Sequence, residues 1–154
     1  MSTLPLENHY QNAYVTRDLE QALAIFRDRH GYTDFRHFDV QFELNTAAGR
    51  GTAAVKLALG WVGNLQYEII QPVSGLVDVY REGVSDQHLL HFHHACMRVS
   101  DWDRFRAELD QPVVISGGTP GHLQFVYVDA RDTLGHYLEY CWMTPQRWEA
   151  MGGR

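Results

Sequence analysis

The chain has 154 residues, 45% of them hydrophobic and 21% charged, with a formal net charge of -6. That is enough apolar chain for one globular domain, and it excludes a disordered or collagen-like class. The basic residues are dispersed, so nothing marks a nucleic-acid or anionic-lipid partner, and no stretch approaches the ~18 apolar residues a membrane span requires.

The start, MSTLPLENHY, has no apolar run behind a basic segment. Cys96 and Cys141 lack CxxC spacing, which implies neither a disulfide framework nor a thiolate zinc site. A cytoplasmic protein is expected. Nine histidines stand out, four of them within residues 88–94 (HLLHFHH). Solvated loop residues are the ordinary reading of His88 and His91.

Along the chain, the first recognisable unit is a short strand pattern at Gln11, then Asp18, then a helix carrying Leu19, Ala22, Leu23, Ile25 and Phe26 at helical intervals. Asp18 is placed to cap that helix, with Gln21 at capping-box spacing, and Gly31 to end it. Strands are predicted over 35–43, 53–61 and 64–71, separated by AAGRG and by the turn at Gly63. Residues 72–91, with Pro72 and Gly75, read as a linking loop.

The pattern then repeats. QNAYVTRDLEQALAIF from Gln11 runs parallel to HACMRVSDWDRFRAEL from His94, with Asp101 in the capping position. Strands are predicted over 112–116, 123–129 and 136–142, separated by GGTPG and a turn at Gly135. Thr144 and Pro145 begin a short terminal helix. The expected fold is α+β: two β-α-β-β-β modules, about 8–71 and 92–143, joined by the 72–91 linker and followed by a helix over 144–151. Paired, they form a curled mixed sheet around a cavity.

Period-two alternation assigns the faces. Leu138, Tyr140 and Trp142 should pack on helices, turning Glu139 inward with Tyr137 and Cys141. Leu65, Tyr67 and Ile69 likewise turn Glu68 inward with Gln66 and Ile70. His93, Ala95, Met97 and Val99 are assigned to the helix side, leaving His94, Phe92, Cys96 and Arg98 toward the cavity. Gln11 stands where His94 stands in the repeat, each seven residues before its capping Asp. His9, one pleat away on the same face, replaces Gln11 if the register slips by two. Cys96 and Cys141 line the pocket or fill small core spaces. Arg98 meets an anionic substrate group or reaches solvent.

Gln11, Glu68, His94 and Glu139 therefore form a mixed N/O set. A divalent cation among them offsets the cost of burying two carboxylates together. Zn, Ni, Co, Mn or Fe suits such a set.

The motifs QNAYVTRDLEQAL, GNLQYEIIQPVSG, FHHACMRVSDWD and DTLGHYLEY resemble the metal-ligand strands of the glyoxalase/bleomycin resistance/dioxygenase superfamily, the vicinal oxygen chelate proteins. The likeness covers nearly the whole chain and looks closest to the methylmalonyl-CoA epimerase-like branch. The order Gln, Glu, His, Glu is similar to one glyoxalase I class, although members most often carry His at the Gln11 position. The resemblance implies one bound divalent metal and a metal-dependent isomerase, epimerase or lyase, working on a small carbonyl metabolite through a stabilised enolate. In that reading Glu139 is the mobile base and Glu68 its partner, and the protein is a homodimer. An extradiol-type dioxygenase and a non-catalytic small-molecule-binding protein of the same fold are the alternatives. No distinctive thiol-binding residues are present.

Overall fold

Two aspartates start the first helix after the opening strand of each half. In the computed structural model, which describes residues 3–154, Asp18 Oδ1 accepts from the Gln21 N–H at 3.0 Å and Asp101 Oδ1 from the Arg104 N–H at 3.1 Å. Each satisfies an orphan donor of a helix first turn: α1 (Leu19–His30) and, in the second half, the helix Trp102–Glu108. The reciprocal half of the capping box is supplied differently, by Thr16 Oγ1, which accepts from the Asp18 N–H at 3.2 Å. Gly31 ends α1 with φ 66°.

The first half runs β1 (His9–Thr16), α1, β2 (Arg36–Thr46), β3 (Gly49–Val62) and β4 (Leu65–Gly75). A short helix, α2 (Asp78–Arg81), follows. The second half runs β5 (Leu90–Arg98), α3 (Trp102–Glu108), β6 (Val113–Thr119), β7 (Leu123–Ala130), β8 (His136–Met143) and α4 (Pro145–Ala150). The eight strands close into a barrel in the order β1-β4-β3-β2-β6-β7-β8-β5. The β1–β4 and β5–β8 pairs are parallel and the others antiparallel, so the halves join within one chain through β1–β5 and β2–β6.

The helices cover the outside as the alternation requires. Leu19 and Ala22 of α1 pack on Ala58 and Ile69, and Trp102 and Phe105 of α3 on Ala95, Met97, Leu138 and Tyr140. Among the described residues no helix is long and apolar enough to cross a membrane.

Several sequence expectations need correction. The β2–β3 hairpin turns at Ala47 and Ala48 alone, because the ladder continues to Thr46 paired with Gly49, so most of AAGRG belongs to β3. β6 likewise runs through Gly117 and Gly118 to Thr119. Nor is 72–91 simply a loop. β4 follows its partner until Gly75 pairs with Ala53, and Leu76 donates to the Thr52 carbonyl at 2.9 Å. Gly75, at φ 79°, then turns the chain so that Val77, Val79 and Tyr80 are buried in the barrel interior beside Val15 and Ile70. Burial of those three side chains holds a helix too short to show a period in the sequence.

Candidate metal centre

The repeat reappears in the hydrogen-bond register. Gln11 pairs with Gln66 and Ala13 with Glu68 across β1–β4, while His94 pairs with Tyr137 and Cys96 with Glu139 across β5–β8. Gln11 and His94 are thus register equivalents, as are Glu68 and Glu139. A parallel pair on each side of the barrel presents one carboxylate toward the same interior point.

There the side chains converge. His94 Nε2 is 2.9 Å from Glu139 Oε2 and 3.5 Å from Glu68 Oε1. One ligand atom from each of Glu68, His94 and Glu139 lies within 4.8 Å of the others, so the three can hold a metal ion. Gln11, also buried, donates its Nε2 to Gln66 Oε1 at 2.8 Å and reaches Glu68 Oε2 at 3.4 Å. Gln66 holds the NH2 of Gln11 and leaves its amide oxygen available as a ligand. Glu68, Glu139 and Gln11 open onto a cavity of about 490 Å³, walled in part by Tyr80, Tyr127 and Phe125.

The electrostatics of the cluster favour a cation. Burial pushes the Glu139 carboxyl up to about 7, with a hydrogen bond from Cys96 pulling the other way. Burial, then the nearby Glu139 charge, raises Glu68 well above the usual carboxylate range. Burial also drives His94 down to about 3, so its ring is neutral. His94 Nε2 is the one buried side-chain nitrogen or oxygen without a hydrogen-bond partner among the described residues. An imidazole lone pair and two carboxylates around one unsatisfied buried point, with the Gln11 amide beside Glu68, fit a divalent ion.

Two β-bulges change which residues face inward. Between Ala13 and Tyr14 the β1–β5 register slips, so that Ala13 opposes His94 while Tyr14 opposes Phe92. His93 is the extra residue, and a bulged residue can turn to the same side as its neighbour. Its ring lies beside those of His94, Tyr127 and Tyr137, inside the barrel rather than on the helix side. Phe92 correspondingly turns out, against Tyr14 and His136. The second bulge, at Tyr10, buries that side chain beside Cys96, Cys141 and Met143. His9 is left exposed, its Nε2 2.7 Å from Asn12 Oδ1, and does not join the cluster.

Arg98 also lies elsewhere. Its guanidinium stacks 4.1 Å over the Trp148 ring in a separate cleft of about 770 Å³ beside α4. That cleft is larger but holds none of the converging groups, so size does not mark the chemistry here. Cys96 and Cys141 are buried, and Cys141 lines the smaller cavity.

The sequence reading missed three residues at the cluster. His93 was hidden by the bulge. Tyr80 lies on α2, in the segment read as a loop, and Tyr127 on β7 was given no role. Their hydroxyls are 3.0 Å apart, and burial pushes both phenols up, so both stay protonated.

A sequence profile for the Glyoxalase/Bleomycin resistance protein/Dioxygenase superfamily matches residues 10–122, the segment carrying Gln11, Glu68 and His94. The chain belongs to that superfamily. Solved structures give the same fold. A variant of the Streptomyces coelicolor methylmalonyl-CoA epimerase, in complex with 2-nitronate-propionyl-CoA, superimposes with a TM-score of 0.63 at 12% identity, over 92% of this chain and 97% of that one. A methylmalonyl-CoA epimerase in complex with methylmalonyl-CoA and NH4+ gives 0.59 at 13% identity, over 90% and 95%. The Mycobacterium tuberculosis methylmalonyl-CoA epimerase gives 0.54 at 16% identity, over 96% and 97%. No curated protein matches the chain in sequence. Within the superfamily fold, this chain places its two carboxylates and His94 on the three strands β4, β8 and β5.

Proposed function

We propose that this chain is a metal-dependent epimerase or isomerase, or a lyase of the same chemistry, acting at the carbon next to the carbonyl of a small metabolite. One observation carries the reading: Glu68 and Glu139 reach a single buried point from register-equivalent strands, where they meet the unpartnered Nε2 of His94.

Gln11, Glu68, His94 and Glu139 would hold one divalent ion, Zn, Ni, Co, Mn or Fe. When bound, such an ion supplies Lewis acidity at the substrate's carbonyl oxygen and acidifies the adjacent C–H. Glu139, one of the two carboxylates meeting at that point, is placed to take that proton and to return it. Glu68, arriving from the other half of the barrel, is placed to deliver a proton to the opposite face. Glu139 then ends protonated and Glu68 ionised; proton exchange with water, or turnover in the reverse direction, restores both. Tyr80 and Tyr127 offer O–H groups in the cavity wall, and Arg147 brings a positive charge to its lining, while Arg50 is paired with Glu43 at 3.7 Å. The epimerase neighbours bound to acyl-CoA ligands supply the first substrate class to try, a 2-substituted acyl thioester.

An extradiol-type dioxygenase site needs a second imidazole. His93 is inside the barrel, but its Nδ1 meets His94 and its Nε2 the Val79 carbonyl, which speaks against that reading. A purely binding protein has no need of two carboxylates converging on a buried imidazole.

The test is isotope exchange. Metal-loaded protein incubated in D2O with one enantiomer of a 2-carboxyacyl thioester is expected to incorporate deuterium at C2 and to lose optical purity. Protein that demonstrably holds its metal yet exchanges no proton on 2-substituted thioesters or 2-hydroxy carbonyl compounds would rule the reading out.

A further inference from the structure

The bulge places two histidine rings in direct contact, and the contact has a direction. His93 Nε2 lies 2.8 Å from the backbone carbonyl of Val79, and His93 Nδ1 lies 2.9 Å from His94 Nδ1. We propose that His93 is a positioning residue: anchored on the Val79 carbonyl, it fixes His94 as the Nδ1–H tautomer and turns the Nε2 lone pair of His94 toward Glu68 and Glu139.

A carbonyl oxygen only accepts, so the proton of that bond belongs to His93 Nε2. A neutral imidazole carries one proton, which makes His93 Nδ1 an acceptor. His94 Nδ1 must then donate to it, and His94 Nε2 is left with a lone pair. Both rings are buried, where a charged imidazole is costly. A separate observation agrees. His94 Nε2 is 2.9 Å from Glu139 Oε2 and has no hydrogen-bond partner.

The anchor comes from α2. The carbonyls of Asp78, Tyr80 and Arg81 accept from the N–H groups of Glu82, Gly83 and Val84, and the Val79 carbonyl takes His93 instead. The rings of Tyr80 and Tyr137, 5.2 and 5.0 Å from His93 between centroids, hold the His93 plane. The segment joining the two halves therefore acts on His94 through His93. Without His93, the His94 proton is free to sit on Nε2 facing Glu139, and a metal ion would first have to displace it. Groups that orient a ligating histidine typically contribute about 10–100-fold in metal affinity.

The inference rests on the metal reading only for its consequence, because the tautomer can be read in metal-free protein. Long-range 1H–15N correlation spectra of histidine-labelled, chelator-stripped protein are expected to show His94 protonated at Nδ1 and His93 at Nε2. His93→Asn keeps an acceptor close to the Nδ1 position and should preserve both the His94 tautomer and Zn2+ affinity within a few fold. His93→Leu fills the space without an acceptor, and should move the His94 proton to Nε2 and weaken Zn2+ binding about 10–100-fold in chelator competition. A wild-type spectrum with His94 protonated at Nε2, or a His93→Leu protein unchanged in tautomer and affinity, overturns the proposal. The stated tautomer in a protein that takes up no Zn2+ would uphold it and refute the metal reading alone.

Discussion

His94 Nε2 and Glu139 Oε2 stand 2.9 Å apart, buried, with no hydrogen bond between them. A neutral imidazole lone pair facing a carboxylate is unfavourable unless something positive lies between the two. Chelator-stripped protein is therefore expected to be stabilised by Zn2+ or Co2+. At 100 times Kd the gain is about 2.7 kcal/mol, a rise in Tm of about 5–11 °C for a domain of this size. His94→Ala should abolish the shift in differential scanning fluorimetry. A wild-type Tm indifferent to every divalent ion tested would count against the site.

The two carboxylates occupy equivalent registers but not equivalent surroundings. Glu139 accepts from Cys96, and Glu68 from Gln11. Glu139→Gln should lower kcat about 10²–10⁴-fold, the usual contribution of a general base, once metal occupancy is restored with excess ion. Glu68→Gln is expected to block epimerisation while leaving some exchange of the C2 proton with D2O, because Glu139 still abstracts. Equal loss of exchange and epimerisation in both variants would show that the carboxylates do not divide the two steps.

The raised Glu139 carboxyl also predicts a pH dependence. Its folded value of about 7 exceeds the ~4.3 of an unfolded Glu, so the metal-free folded state binds more protons across that window. Stability from this group is present below about pH 4 and lost as the pH rises through 7. His93 and His94, held near 3 against ~6.5 unfolded, act oppositely: their contribution is lost as the pH falls from about 6.5 toward 3. Comparison with Glu139→Gln separates the two effects. In EDTA, wild type should lose Tm relative to that variant between pH 5 and 8. Near pH 6, metal binding should release protons, which calorimetry in two buffers of different ionisation enthalpy would detect. A constant Tm gap with no proton release would contradict the raised value.

Gly75 links backbone to site. At φ 79° it turns β4 into α2, and a Cβ there would meet the Thr52 carbonyl. Gly75→Ala is expected to cost about 1–3 kcal/mol in chemical denaturation. It should also weaken metal binding, by displacing the Val79 carbonyl from His93. Unchanged stability and affinity would show that the turn relaxes without moving α2.

The α+β class, the order of strands and helices in each half, and the inward sense of Glu68 and Glu139 were legible in the sequence. Those features are local or periodic: a capping Asp seven residues after Gln11 and after His94, and alternation along β4 and β8. The convergence of those residues was inferable because a repeat demands equivalent places. The tertiary structure alone decided that His93 turns inward, that His9 stays out, and that α2 and Tyr80 reach the cluster. A bulge arises where one strand must match the length and twist of its partner, which no window of that strand records. A four-residue helix exists only because the barrel interior buries Val77, Val79 and Tyr80. The candidate ligands were thus written in the period of the chain, while the proton arrangement that prepares His94 depends on contacts between segments distant in sequence.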